Sequence, residues 1–558
     1  MQKINFPPPE ETALPEEVPL REEGRSVVKA AAILAAGNVA SRILGLVRET
    51  VKANLFGASG LLAAYEVAAY IPVSLFDLII GGMVNSSLVP VFSEYATKER
   101  RAELWHVLSM VLSAATVLLL LVVGVVEFFT PQVAWLIGAR NFSDSSLTET
   151  AVRLMRFATP AVFFMSIASI LTGALYALKR FTIPAFMGAV LNGAVVASAL
   201  LRPEHIESLV WGLLAGSLLQ ILLQWPALGQ SRLRWDLNWR HPAIRRILQL
   251  YAPIIGGLII TQLAVALSIN LATRIGDDSL AYMKYATTLY QFPLGLIVTA
   301  LSVATLPTLS RQALGELSTF KQTMAEGIRL VIALILPATA GLFALAIPIV
   351  ALLFEHGKFV PQNTLVTALV LRVYLFGLPF AAVDQMLVFA SYARKDTLRP
   401  ALVGVVSIVI YLGTAVLLRT PLGNLGAALG QRMGLAGFPG LDTLGNGLLS
   451  LMVADAVKHM VHTALMVWLL KRQLGGLGRY WVALVTGKSV VAAAMTGLAA
   501  FGTAVALSPI MPATFAGKLL LVMAAGLVGV LVYSAMALLL NIHEAKMLPH
   551  LLRRRKSA

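Results

Sequence analysis

Long apolar stretches recur along this chain and limit what it can fold into. Residues 107–126, VLSMVLSAATVLLLLVVGVV, hold no ionisable side chain over a length that crosses a bilayer as a helix. Of the 558 residues, 58% are hydrophobic and only 13% are charged, whereas about 25% are charged in a soluble domain. A helix pairs its backbone groups within one segment, which lets it span hydrocarbon. The composition therefore predicts an all-α polytopic membrane protein.

The apolar stretches predict about 14 transmembrane helices. They cover residues 27–56, 61–92, 104–130, 151–177, 184–201, 208–229, 246–273, 279–310, 325–353, 363–392, 398–418, 445–470, 483–507 and 514–541. With the N-terminus in the cytoplasm, most Lys and Arg residues between the helices fall in inner loops. The positive-inside rule then places both termini in the cytoplasm. These loops also account for the net charge of +16, so nucleic-acid binding is not expected.

Sequence echoes predict an internal repeat. YALKRFTIPA at 176–185 and YARKDTLRPA at 392–401 share Tyr, Ala, Lys, Pro and Ala, 216 residues apart. IP…LVPVFS and FP…LPTLS echo each other too, with Pro90 and Pro307 lying 217 residues apart. Chance recurrence of Pro and basic residues at helix ends is the alternative. Transporters built from such repeats place the substrate between them.

Duplication would give two homologous six-helix lobes plus two C-terminal helices. The predicted organisation is listed from the N-terminus: 1–26, a disordered cytoplasmic tail; 27–230, the N-lobe; 231–475, the C-lobe; 476–545, the last two helices; 546–558, a basic cytoplasmic tail. The names N-lobe and C-lobe are used below for these ranges.

The first predicted helix carries four ionisable side chains. Arg42, Arg48, Glu49 and Lys52 lie in SRILGLVRETVKANLFG, within an otherwise apolar segment. Charges inside a membrane are costly and normally face a partner or a watery cavity. One interpretation pairs Arg42 with Glu49 and lets Lys52 reach the outer surface. The other is a cationic cavity, where the planar fork of arginine would bind phosphate oxygens.

Other predicted helices also hold ionisable residues. Asp77 is expected either to pair with Arg42 or Arg48 or to act as a coupling carboxylate. Lys284 lies one turn into the eighth helix and is expected to face the cavity. Asp384, a further candidate for charge pairing or coupling, needs a partner that the sequence does not identify.

The twelfth predicted helix contains two histidines and a lysine. Lys458, His459 and His462 lie there, and the two histidines have the i, i+3 spacing that can bind a metal. No third ligand is evident, so histidines at a helix interface are favoured. The sequence has no cysteine, no G-x-x-x-x-G-K-[ST] loop and no G-x-S-x-G elbow. No cofactor is expected, and transport energy would come from a coupling monovalent cation, the membrane potential or product removal.

A series of motifs resembles the MurJ (MviN) family of lipid II flippases, within a superfamily that includes the MATE antiporters. In chain order they are SRILGLVRE…LFG, IP…LVPVFSEY, GALYALKRFTIPAF, QFPLGLI…LPTLS, LLFEHGKF and YARKDTLRPAL. The resemblance covers residues 27–475 and implies the 14-helix fold. It implies alternating-access export of an undecaprenyl-pyrophosphate-linked peptidoglycan precursor across the bacterial cytoplasmic membrane. The partners it implies are this anionic polyprenyl lipid and cell-wall synthesis proteins.

The resemblance also implies site residues. Ser41, Arg42 and Arg48 match positions of the family's first helix that would hold the pyrophosphate or headgroup. The chain departs from the family at three motifs. This chain has Ala63-Ala64-Tyr65 where the family usually has Asp-Ala-Phe, and Phe76-Asp77 where the family has a basic pair. It has Thr287-Thr288 where the family has Asp-Arg. Lys284 and Lys52 are hypothesised to supply the missing cavity charge.

Three alternatives stay open at the level of sequence. A MATE-like cation or drug antiporter would use Asp77 as its coupling carboxylate. A degenerate, non-transporting partner in cell-wall assembly would explain the lost cavity charges. An integral-membrane transferase acting on lipid-linked sugars is the third, but no long loop with clustered acids is present.

Overall fold

The computed structural model describes residues 20–544, except 98, 230, 239, 314, 316 and 477. The predicted tail 546–558 and residues 1–19 of the predicted tail 1–26 lie outside this range. Within the described residues the chain forms helices and no strand. Helix α1 begins at Leu20, so the last part of the predicted N-terminal tail is helical and continuous with the first membrane segment.

The N-lobe range contains ten α-helices among the described residues. They are α1 (Leu20–Phe56), α2 (Gly60–Phe76), α3 (Val89–Tyr95), α4 (Arg101–Phe128), α5 (Thr130–Ile137), α6 (Ser145–Ala158), α7 (Ala161–Ala177), α8 (Thr182–Ala185), α9 (Met187–Leu201) and α10 (Glu207–Gln224). Two π-helical turns (Asp77–Gly81 and Val84–Leu88) join α2 to α3, and 3₁₀ turns occur at Ala139–Asn141 and Pro226–Leu228.

The rest of the described chain contains thirteen α-helices. They are α11 (Pro242–Thr273), α12 (Ser279–Pro293), α13 (Thr299–Gln312), α14 (Leu317–Ala344), α15 (Ala346–Phe354), α16 (Pro361–Leu375), α17 (Leu378–Ala393), α18 (Leu398–Leu417), α19 (Arg419–Arg432), α20 (Pro439–Gly445), α21 (Leu448–Leu474), α22 (Val482–Leu507) and α23 (Phe515–Leu539). A π-helical turn (Leu294–Val298) joins α12 to α13, and Gly478–Tyr480 is a 3₁₀ turn.

The predicted membrane segments agree with the helices. Eleven described helical segments are long and apolar enough to cross a bilayer, and α16 and α17, bent by 45°, can form a twelfth. The two other predicted segments correspond to α9, which is short, and to α12–α13. The prediction of an all-α polytopic membrane protein is confirmed. Helices α19 and α20 were not predicted, because α19 is rich in Gly and polar residues and α20 is only seven residues long, so neither has the apolar length of a membrane segment.

Bulky apolar side chains cover much of the outer surface. Leu121 on α4, Val409 on α18 and Leu538 on α23 are each more than 60% exposed. In water such a surface would drive association. In a bilayer it faces lipid tails, which are as apolar as the side chains themselves.

The second and eighth predicted membrane segments share a break in their helical geometry. Pro72 lies in α2 shortly before the π-helical turn that begins at Asp77, and Pro293 ends α12 just before the turn at Leu294–Val298. Proline removes a backbone donor and loosens the helix around it. A proline followed by a π-helical turn in both segments supports the predicted internal repeat, which stays a prediction.

The two lobe ranges meet through loops at the end that is predicted to face outside. We call this contact region the outer junction, and four hydrogen bonds define it: Lys358 N to Asn54 O (2.9 Å), Tyr285 Oη to Gly57 O (2.9 Å), Asn141 Nδ2 to Asn270 O (3.1 Å) and Ser143 N to Asp277 Oδ1 (2.8 Å). Gly57 has φ +64°, a conformation that suits glycine, and it turns the chain from α1 into α2. The end that is predicted to face outside is therefore closed by contacts between the two lobe ranges.

Close packing inside the N-lobe depends on glycine at position 37. A Cβ on Gly37 of α1 would overlap the carbonyl oxygen of Ala185 in α8. We expect Gly37→Ala to lower the thermal unfolding midpoint of the purified protein in detergent, because overpacking costs about 1–3 kcal/mol. Gly193→Ala on α9 is the matched control, since a Cβ there would meet nothing within 4 Å. Equal midpoints for the two variants would contradict this account of the α1–α8 contact.

Candidate substrate cavity

A cavity of about 540 Å³ lies between the two lobe ranges. Its N-lobe wall comes from α1, α2, α9 and α10, and its C-lobe wall from α11, α12, α16, α18 and α21. The polar lining residues that matter below are Arg48, Lys52, Tyr65, Glu66, Tyr70, Lys284, Tyr290, Gln291, Tyr374, Tyr411, Asp455, Lys458 and His459. A smaller cavity of about 200 Å³ lies beside it, between α1 and α12, and includes Arg42, Arg48, Glu49, Lys284 and Thr288.

An ion-pair network connects α1 and α2 of the N-lobe with α12 of the C-lobe along the main cavity. Glu49 contacts Arg48 (2.8 Å) and Lys52 (2.8 Å). Glu66 contacts Lys52 through one carboxylate oxygen and Lys284 through the other, the latter at 3.2 Å. Three cations therefore share two carboxylates, which leaves one net positive charge in the network.

Burial divides this network into two parts. The side chains of Glu49 and Lys52 are each 2% exposed and that of Glu66 is 8% exposed, whereas Arg48 is 31% and Lys284 is 41% exposed. The carboxylates and Lys52 satisfy one another inside the protein. Arg48 and Lys284 present their charges to the cavity and are the groups that a ligand can reach.

The turn between α1 and α2 brings the buried charges together. Helix α1 ends at Phe56, and Ser59 caps the start of α2 by accepting a hydrogen bond from Leu62 N at 3.3 Å. Lys52 therefore lies one turn before the bend, and Glu66 lies between one and two turns after it. In this antiparallel arrangement the Lys52 ammonium reaches both Glu49 and Glu66.

Arg48 is oriented by a neighbouring helix. Its Nη1 donates to Asn192 Oδ1 of α9 (2.9 Å), and Asn192 Nδ2 donates to the carbonyl oxygen of Ser41 (3.0 Å). The Ser41 hydroxyl itself packs against Gly188 of α9, and Ser41 does not belong to the described lining of either cavity. Ser41 therefore helps to orient Arg48 through Asn192, which donates to the Ser41 carbonyl oxygen and accepts from Arg48.

Arg42 forms neither of the two carboxylate contacts predicted for it, with Glu49 or with Asp77. Its guanidinium lies against Gly295 in the π-helical turn after α12, where any side chain at 295 would overlap it. The predicted pairing of Arg42 with Glu49 was wrong, because Glu49 points toward Arg48 and Lys52. Arg42 lines the smaller cavity, and its Nε has no hydrogen-bond partner. It therefore continues the cationic surface from Arg48 along α1.

Lys52 and Asp77 also differ from the interpretations based on helix position. Lys52 does not reach the outer surface, because Glu49 and Glu66 hold it inside the protein. Asp77 accepts from Gln262 Nε2 of α11 at 3.4 Å, so the prediction of an arginine partner was wrong. The physical reason is direction: Asp77 begins a π-helical turn that faces α11, whereas Arg42 is directed to the turn after α12.

Lys284 lies where the sequence placed it. It faces the main cavity from α12, and it also lines the smaller cavity together with Thr288. Lys284 precedes Thr288 by one helical turn, so the two residues lie on the same face of α12. Its binding of a substrate stays a prediction.

The C-lobe wall carries a second set of charges. Lys458 Nζ and His459 Nε2 both approach Asp455, the histidine at 3.7 Å, and all three residues line the cavity. His462 lies behind them and contacts Asp384 of α17, with 2.6 Å between Nδ1 and Oδ1. His462 therefore supplies the partner that Asp384 needed. Among the described residues no group of three His, Cys, Asp or Glu side chains could hold a metal.

Glu66 and Asp455 were missed in the sequence. Glu66 directly follows the motif Ala63-Ala64-Tyr65, which was considered only because it departs from the family pattern. A carboxylate alone in an apolar helix is itself the signal, since such a group needs a cation partner in the membrane. Asp455 could have been found in the same way, because Lys458 follows it at i+3.

Comparison with known proteins places this architecture in a family. The family model "Lipid II flippase MurJ" matches residues 52–438. The chain belongs to the MurJ family. The matched range begins at Lys52, so Arg42 and Arg48 precede it, while Glu66 and Lys284 lie inside it. This MurJ-family chain is therefore a multi-pass membrane protein with a cavity between its lobes.

Individual relatives agree with the family assignment. The lipid II flippase MurJ of Burkholderia cenocepacia is 30% identical over 382 residues, covering 65% of this chain and 73% of the relative. A probable lipid II flippase MurJ of Bdellovibrio bacteriovorus is 30% identical over 471 residues, covering 82% and 84% of the two chains.

Solved structures show the same fold. A lipid II flippase MurJ in an inward closed conformation has a TM-score of 0.69 at 21% identity, covering 91% of this chain and 98% of that one. A multidrug resistance MATE family transporter in an inward-facing conformation has a TM-score of 0.61 at 13% identity, covering 80% and 99%. The MurJ-family chain thus shares its helical architecture with both transporter groups.

The buried part of the network should contribute to folding. We expect Lys52→Met to lower the thermal unfolding midpoint in detergent by several degrees, because breaking a buried ion pair costs about 3–5 kcal/mol. Arg153→Met is the matched control: Arg153 pairs with Glu207 at 2.7 Å but is 57% exposed, and exposed pairs contribute about 0–1 kcal/mol. If both variants unfold at the same temperature, the network does not stabilise the α1–α2 hairpin.

Proposed function

We propose that this chain is a flippase that moves an undecaprenyl-pyrophosphate-linked peptidoglycan precursor, lipid II, to the outer leaflet of the bacterial cytoplasmic membrane. The single observation that carries the proposal is the cation-rich cavity between the lobes of a MurJ-family chain. Arg48 and Lys284 face this cavity from different lobe ranges. The relatives named lipid II flippase support the choice of cargo.

The cavity charges suit a diphosphate. Arg48 of α1 offers a planar guanidinium that can bind phosphate oxygens bidentately, and Lys284 of α12 offers a compact ammonium. Their exposed fractions, 31% and 41%, leave both accessible to a ligand. Arg42 in the adjoining cavity extends the cationic surface. A headgroup in the cavity would therefore place its phosphates between α1 and α12.

The lobes and the outer junction suit alternating access. In our proposal residues 27–230 and 231–475 move as two homologous lobes, 476–545 forms two added helices, and both termini are cytoplasmic. The outer junction is closed in this structure, so the headgroup would enter from the inner side. A monovalent cation gradient or the membrane potential would supply the energy.

The cavity charges favour an anionic cargo over the cationic cargo of an antiporter. Among the described residues that line the two cavities, five are Arg or Lys and three are Asp or Glu: Arg42, Arg48, Lys52, Lys284 and Lys458 against Glu49, Glu66 and Asp455. A cationic drug would be repelled by this excess. Asp77, the coupling carboxylate of the antiporter alternative, is absent from the described lining of both cavities.

Complementation tests the proposal. In a bacterium depleted of its own lipid II flippase, we expect this chain to restore growth, and Arg42→Ala, Arg48→Ala and Lys284→Ala to reduce the rescue. Each loses a charge-assisted contact of about 1.5–3 kcal/mol, roughly a ten- to hundredfold loss of affinity. Growth on plates and the amount of protein in the membrane are measured together.

Arg153→Ala is the control, since its exposed ion pair with Glu207 lies outside both cavities. Rescue that survives the three cavity substitutions would remove these residues from the site. Absence of rescue by the unaltered chain, with the protein correctly inserted, would favour another cargo or a non-transporting role.

A further inference from the structure

Glu66 is the carboxylate through which the two lobe ranges share an ion pair inside the cavity. Its two oxygens approach different cations: Oε1 contacts Lys52 of α1, and Oε2 lies 3.2 Å from Lys284 of α12. Lys52 belongs to the same lobe range as Glu66, whereas Lys284 belongs to the other. The Glu66–Lys284 pair therefore joins α2 to the opposite lobe.

The two cations differ in what can reach them. Lys52 is 2% exposed and has Glu49 as a second partner at 2.8 Å. Lys284 is 41% exposed and faces both cavities. An anionic ligand can therefore compete with Glu66 for Lys284 but not for Lys52. After such competition Glu66 would still be paired with Lys52, which avoids the cost of an unpaired buried carboxylate.

This ion pair lies directly beside the outer junction. Tyr285 follows Lys284 on α12 and donates its hydroxyl to the carbonyl oxygen of Gly57 at 2.9 Å. Lys358 donates its backbone N–H to Asn54 O, at the end of α1. The Glu66–Lys284 pair thus shares α12 with the outer junction, and Lys284 is one residue away from Tyr285, which makes one of the junction's hydrogen bonds.

We propose that Glu66 stands in for the substrate's phosphate while the cavity is empty. Its carboxylate binds Lys284 and holds the outer junction closed, and a phosphate of the cargo displaces it from Lys284. Displacement removes one connection between the lobes, and the outer junction then opens more readily. This inference rests on the proposed function, because it needs a phosphate-bearing cargo. Glu66 is a positioning residue in this scheme and also sets the affinity for anions.

Binding of lipid II to the protein in nanodiscs tests the competition. Glu66→Gln removes the competing charge, so we expect lipid II to bind on the order of tenfold more tightly, which corresponds to about 1.4 kcal/mol. Glu66→Asp keeps the charge and should bind as the unaltered protein does. Glu207→Gln, which removes the carboxylate of an exposed ion pair, is the matched control. If Glu66 only stabilised Lys52, Glu66→Gln would bind lipid II equally or more weakly.

Cross-linking tests the connection to the outer junction. The chain has no cysteine, so Ser143→Cys with Asp277→Cys introduces a single reporter pair where Ser143 N and Asp277 Oδ1 are 2.8 Å apart. We expect lipid II to lower the disulfide yield in the otherwise unaltered protein. Glu66→Gln and Lys284→Gln should lower it without ligand, because each breaks the ion pair between the lobes, and Glu207→Gln should not.

The outcomes separate this inference from the proposed function. If lipid II binds and is flipped, but Glu66→Gln changes neither the affinity nor the cross-link yield, the role of Glu66 is overturned while the proposed function stands. If lipid II does not bind the unaltered protein, the proposed function fails. The disulfide yield of Glu66→Gln without ligand then still decides whether Glu66 holds the outer junction closed. A yield equal to that of the protein with Glu66 would overturn this role.

Discussion

The structure depends on the pairing of charges that the membrane does not tolerate alone. Hydrocarbon cannot solvate an ammonium or a carboxylate, so each buried group needs an opposite charge within contact distance. Lys52 meets this need for both Glu49 and Glu66, and it does so only if α1 and α2 form a tight hairpin. Lys284 supplies the opposite charge for the second oxygen of Glu66, and this contact forms only if α12 packs against the α1–α2 hairpin. The polar network thereby specifies the arrangement of three helices whose apolar surfaces would tolerate many others.

The same network separates structural charges from accessible ones. Lys52 and the two carboxylates that it contacts, Glu49 and Glu66, are enclosed, while Arg48 and Lys284 have one side toward the cavity. Two of the three departures from the family pattern have a like charge nearby in the chain. Glu66 lies one turn beyond Ala63, and Lys284 lies one turn before Thr288, so an acid and a base are each displaced by about one helical turn. No such replacement is present for the basic pair at Phe76-Asp77, where the chain carries an acid.

The second wall of the cavity is built differently. Asp455, Lys458 and His459 come from one helix, α21, and pair locally, whereas the N-lobe network connects three helices. Behind this wall the contact between Asp384 and His462 joins α17 to α21. The aromatic rings of Tyr290, Tyr374 and Tyr411 complete the wall. A ligand in the cavity therefore meets the accessible positive charges of Arg48 and Lys284 on one side and a surface of rings and locally neutralised ions on the other.

The sequence by itself determined the membrane class, the positions of most helices and the candidate cations of α1 and α12, because apolar length and isolated charges are local properties of the chain. It did not determine which charges pair. Arg42 and Glu49 share a helix face, yet Arg42 is directed to Gly295 and Glu49 to Lys52; likewise Asp77 faces Gln262 instead of an arginine. The partners come from helices more than 100 residues away in the case of Gln262, Gly295 and Lys284. Only tertiary packing decides such contacts, since the direction of a side chain on one helix says nothing about which other helix lies in front of it.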